Sequence, residues 1–181
     1  PDWPLSYGTW FPPMVGGIRY EHGHRVIAAL VGLMILALAI RLGKAEPRRW
    51  MRRLGYAALA AVMLQGLLGG LTVLWLLPPA VSIAHAVLGQ AVWCLVVCLA
   101  VGASPRWEDH PGGLTAAQGG SLRWDGLITA LLAALQLLLG AVIRHTGYAV
   151  GWHAANAVAL IWFAGRFARR VKPLRDRAPI L

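Results

Sequence analysis

Five long apolar stretches, separated by shorter polar segments, dominate the hydrophobic pattern of this chain. Each stretch is close to the roughly 20 residues that an α-helix needs to cross the hydrocarbon core of a bilayer. The pattern predicts five membrane-spanning helices, at about residues 21–42, 54–77, 81–103, 124–143 and 149–167. The predicted fold class is therefore all-α, a polytopic bundle of transmembrane helices.

Composition points to the same class of protein. The chain has 181 residues, of which 58% are hydrophobic and 13% charged, and its mean hydropathy is +0.60. A soluble domain of this size cannot bury so much apolar surface. The net charge of +10 by itself suggests a nucleic-acid partner. The basic residues, however, cluster at the ends of the apolar stretches rather than along one face, which argues against that partner.

The basic residues also predict how the bundle is oriented. Of the 17 Lys and Arg residues, all but Arg19, Arg25 and Arg144 fall in segments on one side of the predicted bundle. Because basic loops stay in the cytoplasm, this side is the inner one. The first loop and the turns near residues 78 and 145 are then placed on the outer side.

Three histidines lie near the outer ends of predicted helices. The alternation of the helices brings His24, His85 and His153 to one depth in the outer part of the membrane. Neutral imidazole is the usual axial ligand of heme iron, and a bis-histidine site needs two rings at matching depth on different helices. His24 and His85 meet this condition, and Ala28 and Gly89 leave room for a flat macrocycle. The competing interpretation is that each histidine makes only an interhelical hydrogen bond.

The polar motif Glu-His-Gly-His-Arg at residues 21–25 stands directly before the first apolar stretch. On a helix, Glu21, His24 and Arg25 share a face. Ionisable groups at this depth are costly, which suggests function. Glu21 is either a proton acceptor beside His24 or the partner of an interfacial ion pair with Arg25 or Arg19. Arg25 and Arg144 either hold carboxylates such as heme propionates or snorkel to the interface.

A weak internal repeat links the two ends of the chain. The segment Gln65–Gly70 resembles Gln136–Ala141, and each is followed by a short outer turn and a helix with a histidine near its start. Repeated helix pairs are common in membrane proteins whose site lies at the repeat interface. His145, in the outer turn of the second copy, remains open between ligand, propionate partner and loop residue.

Taken in order, these motifs resemble the heme A synthases of the cytochrome oxidase assembly pathway. The matching pieces span nearly the whole chain: residues 1–5 (Pro-Asp-Trp-Pro-Leu), 21–25, 65–73, 77–79 with Ser82 and His85-Ala86, Gly140, 144–147 (Arg-His-Thr-Gly) and His153. The resemblance implies an eight-helix protein made of two similar four-helix halves. By this analogy, the chain is an internal piece that holds helices two to six.

The resemblance also implies roles for the residues. The first half, residues 1–103, binds the substrate heme O between His24 and His85, with Glu21 as the catalytic residue. Residues 104–123, which are polar and Gly-rich, are predicted to form an irregular cytoplasmic linker. By the resemblance, the second half, residues 124–181 with two membrane helices and a basic tail, holds a heme b cofactor, with His153 as one ligand and the other on a helix beyond this chain. The implied reaction oxidises a methyl group of heme O to the formyl group of heme A.

The sequence departs from the family pattern in two places. Family members often carry cysteines beside the segment at residues 1–5, but Ser6 follows it here, so no disulfide is predicted. The turn at residues 144–147 is short, which leaves open whether His153 or His145 is the ligand of the second half.

The resemblance further implies a setting and partners for the chain. We expect a multi-pass protein of the bacterial plasma membrane that contacts heme O, heme A and the lipid bilayer. Heme O synthase, oxidase assembly factors and a second copy of the chain are further candidate partners. The alternatives are a non-catalytic b-type cytochrome or heme-transfer protein, and a heme-free bundle whose histidines only join helices.

Overall fold

The computed structural model describes residues 2–105 and 116–177, with the side chains of the second range described from 119 to 173. Within these residues it has five α-helices and no strand, so the predicted all-α class is confirmed. The helices are α1 (Ile18–Ala45), α2 (Arg49–Leu74), α3 (Pro79–Gly102), α4 (Ala116–Thr146) and α5 (Val150–Arg177).

Four of these helices, α1 to α4, are long and apolar enough to cross a membrane. Helix α5 is long enough but more polar, since His153, Asn156 and Arg166 lie within its first five turns. Four such helices in one chain indicate a multi-pass membrane protein.

Several helix ends lie at other residues than the hydrophobic pattern predicts. Helix α2 ends at Leu74, ahead of the two prolines, and the next turn places Leu76 and Leu77 at positive φ. Helix α4 begins at Ala116, so part of the predicted irregular linker is helical, and α5 continues into the predicted basic tail. Residues such as Ala, Gln, Leu and Arg favour the helical conformation in water as well as in lipid, so a helix can extend beyond the ends of its apolar stretch.

The chain forms two compact units, Pro1–Asp109 with α1 to α3 and His110–Leu181 with α4 and α5. In the first unit, α2 packs against both α1 and α3. Its apolar core is made by Ile35, Leu42, Met51, Ala58, Val92 and Leu99. On α1 the buried residues all lie at or beyond Ile35, so the tight packing is at the end with the basic turn.

Arg48 joins that turn to the end of α3. Its guanidinium bonds the Glu46 carboxylate, with Nε and Oε1 2.7 Å apart, and donates to the carbonyl oxygen of Gly102 at 2.9 Å. The hydrogen bonds from Arg48 lower the pKa of Glu46 to about 2. The bond to Gly102 satisfies a carbonyl that the end of a helix otherwise leaves without a partner.

An ion cluster joins α4 to α5 in the second unit. The Asp125 side chain is only 3% exposed, and its two oxygens lie 3.1 Å from Arg166 and 2.7 Å from Arg170. The two arginines are four residues apart and therefore share one face of α5. The cluster holds the two helices together at the end far from the 144–147 turn.

Replacing Asp125 by Asn should destabilise the second unit. The change leaves two guanidiniums without their carboxylate, and we expect a loss of about 2 kcal/mol, below the cost for a fully buried pair because both arginines are partly exposed. Thermal unfolding in detergent measures it. Arg169→Gln, beside the cluster but outside it, should unfold close to the wild-type temperature. Equal unfolding temperatures for the Asp125 and Arg169 variants would contradict the assignment.

Candidate functional site

His85 on α3 lies against two residues of α2 that are one helical turn apart. Its Nε2 is 3.4 Å from the side-chain nitrogen of Gln65. A Cβ atom placed on Gly69 would lie 3.1 Å from Cε1 of the imidazole. The missing side chain at Gly69 therefore lets the His85 ring approach the α2 backbone. Gly89 plays the same part for Gln65, whose nitrogen would lie 3.0 Å from a Cβ there.

The second unit repeats this arrangement. Nε2 of His153 on α5 is 3.0 Å from the side-chain nitrogen of Gln136 on α4. A Cβ on Gly140, four residues after Gln136, would lie 3.4 Å from Cε1 of His153. We call each set, Gln65 with Gly69 and His85, and Gln136 with Gly140 and His153, a Gln–Gly–His module. The repeat in the sequence thus corresponds to a repeated side-chain geometry.

Both modules contain buried polar atoms that lack a partner among the described residues. These atoms are Nδ1 of His85, Nδ1 of His153 and Oε1 of Gln65, and the hydroxyl of Ser82 on α3 is in the same state. Buried polar groups are almost always hydrogen-bonded in folded proteins. Orphaned polar atoms beside an imidazole therefore indicate a place where a ligand binds.

His24 lies on α1, and its side chain is exposed. Helices α1 and α3 both pack on α2. The first unit thus has one of the predicted histidine ligands on each of the two helices that pack against α2.

Of the two ion-pair partners considered for Glu21, the structure has Arg25. Their side chains form an ion pair with an N–O distance of 2.5 Å, and the Glu21 side chain is 48% exposed. Arg25 also donates to the backbone carbonyl oxygens of Leu5 and Asp2. Arg25 is therefore an anchor for the first loop as well as the partner of Glu21.

The first loop is held at two further points. The Asp2 carboxylate accepts hydrogen bonds from the backbone nitrogens of Gly8 at 2.7 Å and Tyr7 at 2.8 Å. These bonds lower the pKa of Asp2. The Trp3 ring packs on Gly70 of α2, where a Cβ atom would come within 2.7 Å of it. Two adjacent glycines of α2 thus allow two close contacts: Gly69 lets His85 approach the helix, and Gly70 lets Trp3 of the first loop pack on it.

The remaining predicted residues lie outside the modules. Arg144 is exposed and His145 half-buried in the last turn of α4, and neither side chain makes a hydrogen bond or ion pair within the described residues. Cys94 and Cys98 are free thiols. His110, predicted to be a solvated loop residue, lies outside the described ranges.

The donor set fits heme better than a metal ion held by protein alone. Across the described residues, no three His, Cys, Asp or Glu side chains converge as metal ligands. A porphyrin supplies the equatorial nitrogens itself and asks the protein only for axial ligands. Imidazole is a suitable axial ligand, and Gly69 and Gly140 let the rings of His85 and His153 lie close to the neighbouring helix.

Asn156, which the sequence reasoning did not single out, extends the second module. Its side-chain nitrogen is 3.0 Å from the carbonyl oxygen of Leu132 and 2.6 Å from Oε1 of Gln136. The residue is 8% exposed. The sequence did contain a signal for Asn156, because it is a strongly polar residue in a predicted membrane helix, three positions after His153. The Asp125 cluster was also missed, because its partners are distant in the sequence.

Comparisons with known proteins agree on one family. The family model described as cytochrome oxidase assembly protein matches residues 18–170. A heme A synthase of Symbiobacterium thermophilum is 31% identical over 164 residues, which cover 86% of this chain and 53% of that protein. Heme A synthases of Alkalihalophilus pseudofirmus and Halalkalibacterium halodurans are 29% and 28% identical, each over 80% of this chain and 48% of their own length.

The chain spans about half the length of the curated relatives it matches. No solved structure matches it.

Replacing Arg25 by Leu should release the first loop. The change removes the ion pair with Glu21 and two hydrogen bonds from a charged donor, so we expect cleavage within residues 2–17 by proteinase K to be about tenfold faster. Arg19→Leu is the control, since Arg19 donates to the side chain of its neighbour Tyr20. Equal cleavage of the two variants would rule out Arg25 as the anchor.

Replacing Gly69 by Val should displace the His85 ring. The new side chain enters a space where even a Cβ is 3.1 Å from the imidazole, whereas a Cβ on Gly66 of the same helix meets no atom within 4 Å. We expect Gly69→Val to lower bound heme severalfold and Gly66→Val to leave it unchanged, as measured by pyridine hemochrome analysis. Equal heme content in the two variants would argue against a pocket at His85.

Proposed function

This chain belongs to the family of cytochrome oxidase assembly proteins, and from that premise we propose that it is part of a membrane-embedded, heme A synthase-like oxidoreductase. The reaction oxidises a methyl group of heme O to the formyl group of heme A. The observation that carries this proposal is the Gln–Gly–His module, which occurs once in each unit. Two imidazole sites of one design suit a protein that handles two hemes.

We assign heme O to the first unit, with His24 and His85 as axial ligands. Support comes from their places on the helices that flank α2, and from Gly69 and Gly89, which keep side chains away from the ring and from Gln65. Heme iron, once bound, supplies the redox chemistry. The polypeptide would supply the ligand atoms, the imidazole nitrogens of His24 and His85.

Glu21 is assigned to proton transfer at the outer mouth of this site. With water as the source of the formyl oxygen, oxidation of a methyl group gives up four electrons to an external acceptor and releases four protons, and a carboxylate in contact with outer solvent can accept these protons and pass them on. Arg25 holds Glu21 in place through their ion pair, and it also donates hydrogen bonds to backbone carbonyl oxygens of the first loop. Because its donors are used in this way, we assign Arg25 to positioning rather than to a heme propionate.

We assign heme b to the second unit, with His153 as one ligand and the other on a helix beyond this chain. His153 is favoured over His145 because His153 belongs to a module, whereas His145 lies in the last turn of α4. Arg144, exposed in that same turn, is the candidate partner for a propionate.

The proposed setting is a bacterial plasma membrane, with the histidine-bearing helix ends on the outer side. This orientation rests on the Lys and Arg distribution. Heme O, heme A and lipid are the partners that the proposed reaction requires. Heme O synthase, oxidase assembly factors and a second copy of the chain are partners to be tested by co-purification.

A non-catalytic b-type cytochrome or heme-transfer protein is the second candidate. The observation in its favour is that the Glu21 carboxylate is already paired with Arg25, the arrangement expected if Glu21 only neutralises charge at the interface. Such a protein needs the histidines but not a proton acceptor.

Histidine and Glu21 variants of the full-length protein, expressed with ample heme O, separate the candidates. For the synthase, Glu21→Gln should retain both hemes but lower heme A formation roughly a hundredfold, as expected for loss of a proton-transferring group. For the cytochrome, no variant changes heme A, because the wild type makes none. Heme content and type are measured by pyridine hemochrome analysis and chromatography.

The same preparations test the ligand assignment. His24→Ala and His85→Ala should lose heme O, and His110→Ala, at a histidine predicted from the sequence to lie in the cytoplasmic linker, should keep it. Wild-type heme content in His85→Ala would contradict the heme site proposed in the first unit.

A further inference from the structure

The end of the second unit that lies far from the 144–147 turn carries more positive charge than its own acid can balance. Within residues 119–173, this end has one carboxylate, that of Asp125, and five cationic side chains: Arg123, Arg166, Arg169, Arg170 and Lys172. One carboxylate neutralises one guanidinium. An excess of cations at the edge of a membrane attracts anionic groups.

Three of these cations share one face of α5 with an exposed aromatic residue. Arg166, Arg169 and Arg170 stand at i, i+3 and i+4, and Trp162 lies one helical turn before Arg166. The guanidinium carbon of Arg166 is 5.6 Å from the centroid of the Trp162 ring, and Trp162 is 54% exposed. Tryptophan is enriched where membrane helices meet the lipid headgroups. This face therefore combines guanidiniums with an aromatic ring at a depth typical of headgroups.

Asp125 fixes two of the guanidiniums from the buried side. Its side chain is 3% exposed, whereas those of Arg166 and Arg170 are 38% and 43% exposed. Arg166 contacts the carboxylate through Nε and Nη2, and Arg170 through Nη1. Nη1 of Arg166, and Nε and Nη2 of Arg170, take no part in these contacts. Both guanidiniums are thus held in place while part of each side chain remains at the surface.

Ser121 and Arg169 add further donors beside this pair. The exposed Ser121 hydroxyl of α4 accepts a hydrogen bond from Arg170, which leaves its own O–H as a donor. Arg169 is exposed, and its Nη1 would lie 3.9 Å from a Cβ on Gly165, so its side chain runs back along α5 toward the turn that holds Arg166. Guanidiniums and a hydroxyl close together are suited to the oxygens of a phosphate group.

We propose that this surface, which we call the Arg–Trp face and which consists of Ser121, Trp162, Arg166, Arg169 and Arg170, binds the phosphate of an anionic phospholipid. Basic pockets between membrane helices are typical sites for such headgroups. Three guanidiniums and one carboxylate leave two positive charges, which favour a lipid with net negative charge over a zwitterionic one. A lipid is favoured over free phosphate because Trp162 offers an apolar contact that only a ligand with an apolar part can use.

The proposal goes beyond heme chemistry and does not depend on it. Neither Gln–Gly–His module contributes a residue to the Arg–Trp face. Failure of the heme assignments would therefore leave the lipid site standing, and failure of the lipid site would leave the heme assignments standing.

The test compares the lipids retained by the full-length protein in detergent, measured by native mass spectrometry with phosphatidylglycerol and phosphatidylcholine supplied at equal concentration. The wild type should retain phosphatidylglycerol in preference to phosphatidylcholine. Arg169→Gln should weaken phosphatidylglycerol binding about tenfold, the effect of losing one hydrogen bond from a charged donor. Since Arg169 lies outside the Asp125 cluster, this variant should fold like the wild type. Equal retention of the two lipids by the wild type would overturn the proposal.

Arg123→Gln is the matched control, because it removes the same charge at the same end of the unit. Arg123 is exposed and lies two residues before Asp125, roughly 200° around α4 from it. The control should change phosphatidylglycerol binding less than about twofold, since it removes only diffuse attraction. Equal weakening by Arg123→Gln and Arg169→Gln would show that overall charge alone attracts the lipid, and the Arg–Trp face would be refuted.

Two further measurements use the wild-type protein and therefore do not depend on how a variant folds. Phosphatidylglycerol with a photoreactive group at its headgroup should label residues 162–173. Labelling only elsewhere would show that other helices of the full-length protein cover this face, against the proposal. Excess inorganic phosphate should leave the bound lipid in place, and its displacement by phosphate would identify a site for free anions instead.

Discussion

Polar side chains inside a membrane helix must find partners in the protein or in a ligand, because the hydrocarbon core offers no water. This constraint explains the two Gln–Gly–His modules. A glutamine and a histidine face each other across a helix pair, and a glycine lets the imidazole ring come close enough to reach. What the modules leave unsatisfied, chiefly Nδ1 of each histidine, must be accommodated by whatever else lies at these sites.

Tight packing is confined to one end of the first unit. The core around Met51 and the Arg48 bonds lie at the basic turn, while α1 has no buried residue before Ile35. A loosely packed end can open without disrupting the core. The first loop borders this open end, tied to α1 through Arg25 and to α2 through Trp3.

The sequence predicted the features that depend on single helices. Apolar stretches predicted all five helices, because a membrane-spanning helix must be apolar along its own length. The Gln–His repeat could be recognised because each glutamine segment is followed by a short turn and a helix with a histidine near its start. Helix ends were less predictable, since helix propensity carries α4 and α5 beyond their apolar stretches. The Asp125 cluster depends on a contact 41 residues away in the sequence, and the bond from Arg25 to Leu5 spans 20. No local pattern contains that information.

The difference between Asn156 and Leu88 shows where the two modules diverge. In the second unit, the buried amide of Asn156 is bonded to the carbonyl oxygen of Leu132 and to Oε1 of Gln136, at the cost of one polar residue in the helix. In the first unit the corresponding position is Leu88, and Oε1 of Gln65 is buried without a partner among the described residues. One residue, three positions after the histidine, therefore decides whether the far end of the glutamine amide is hydrogen-bonded within the protein.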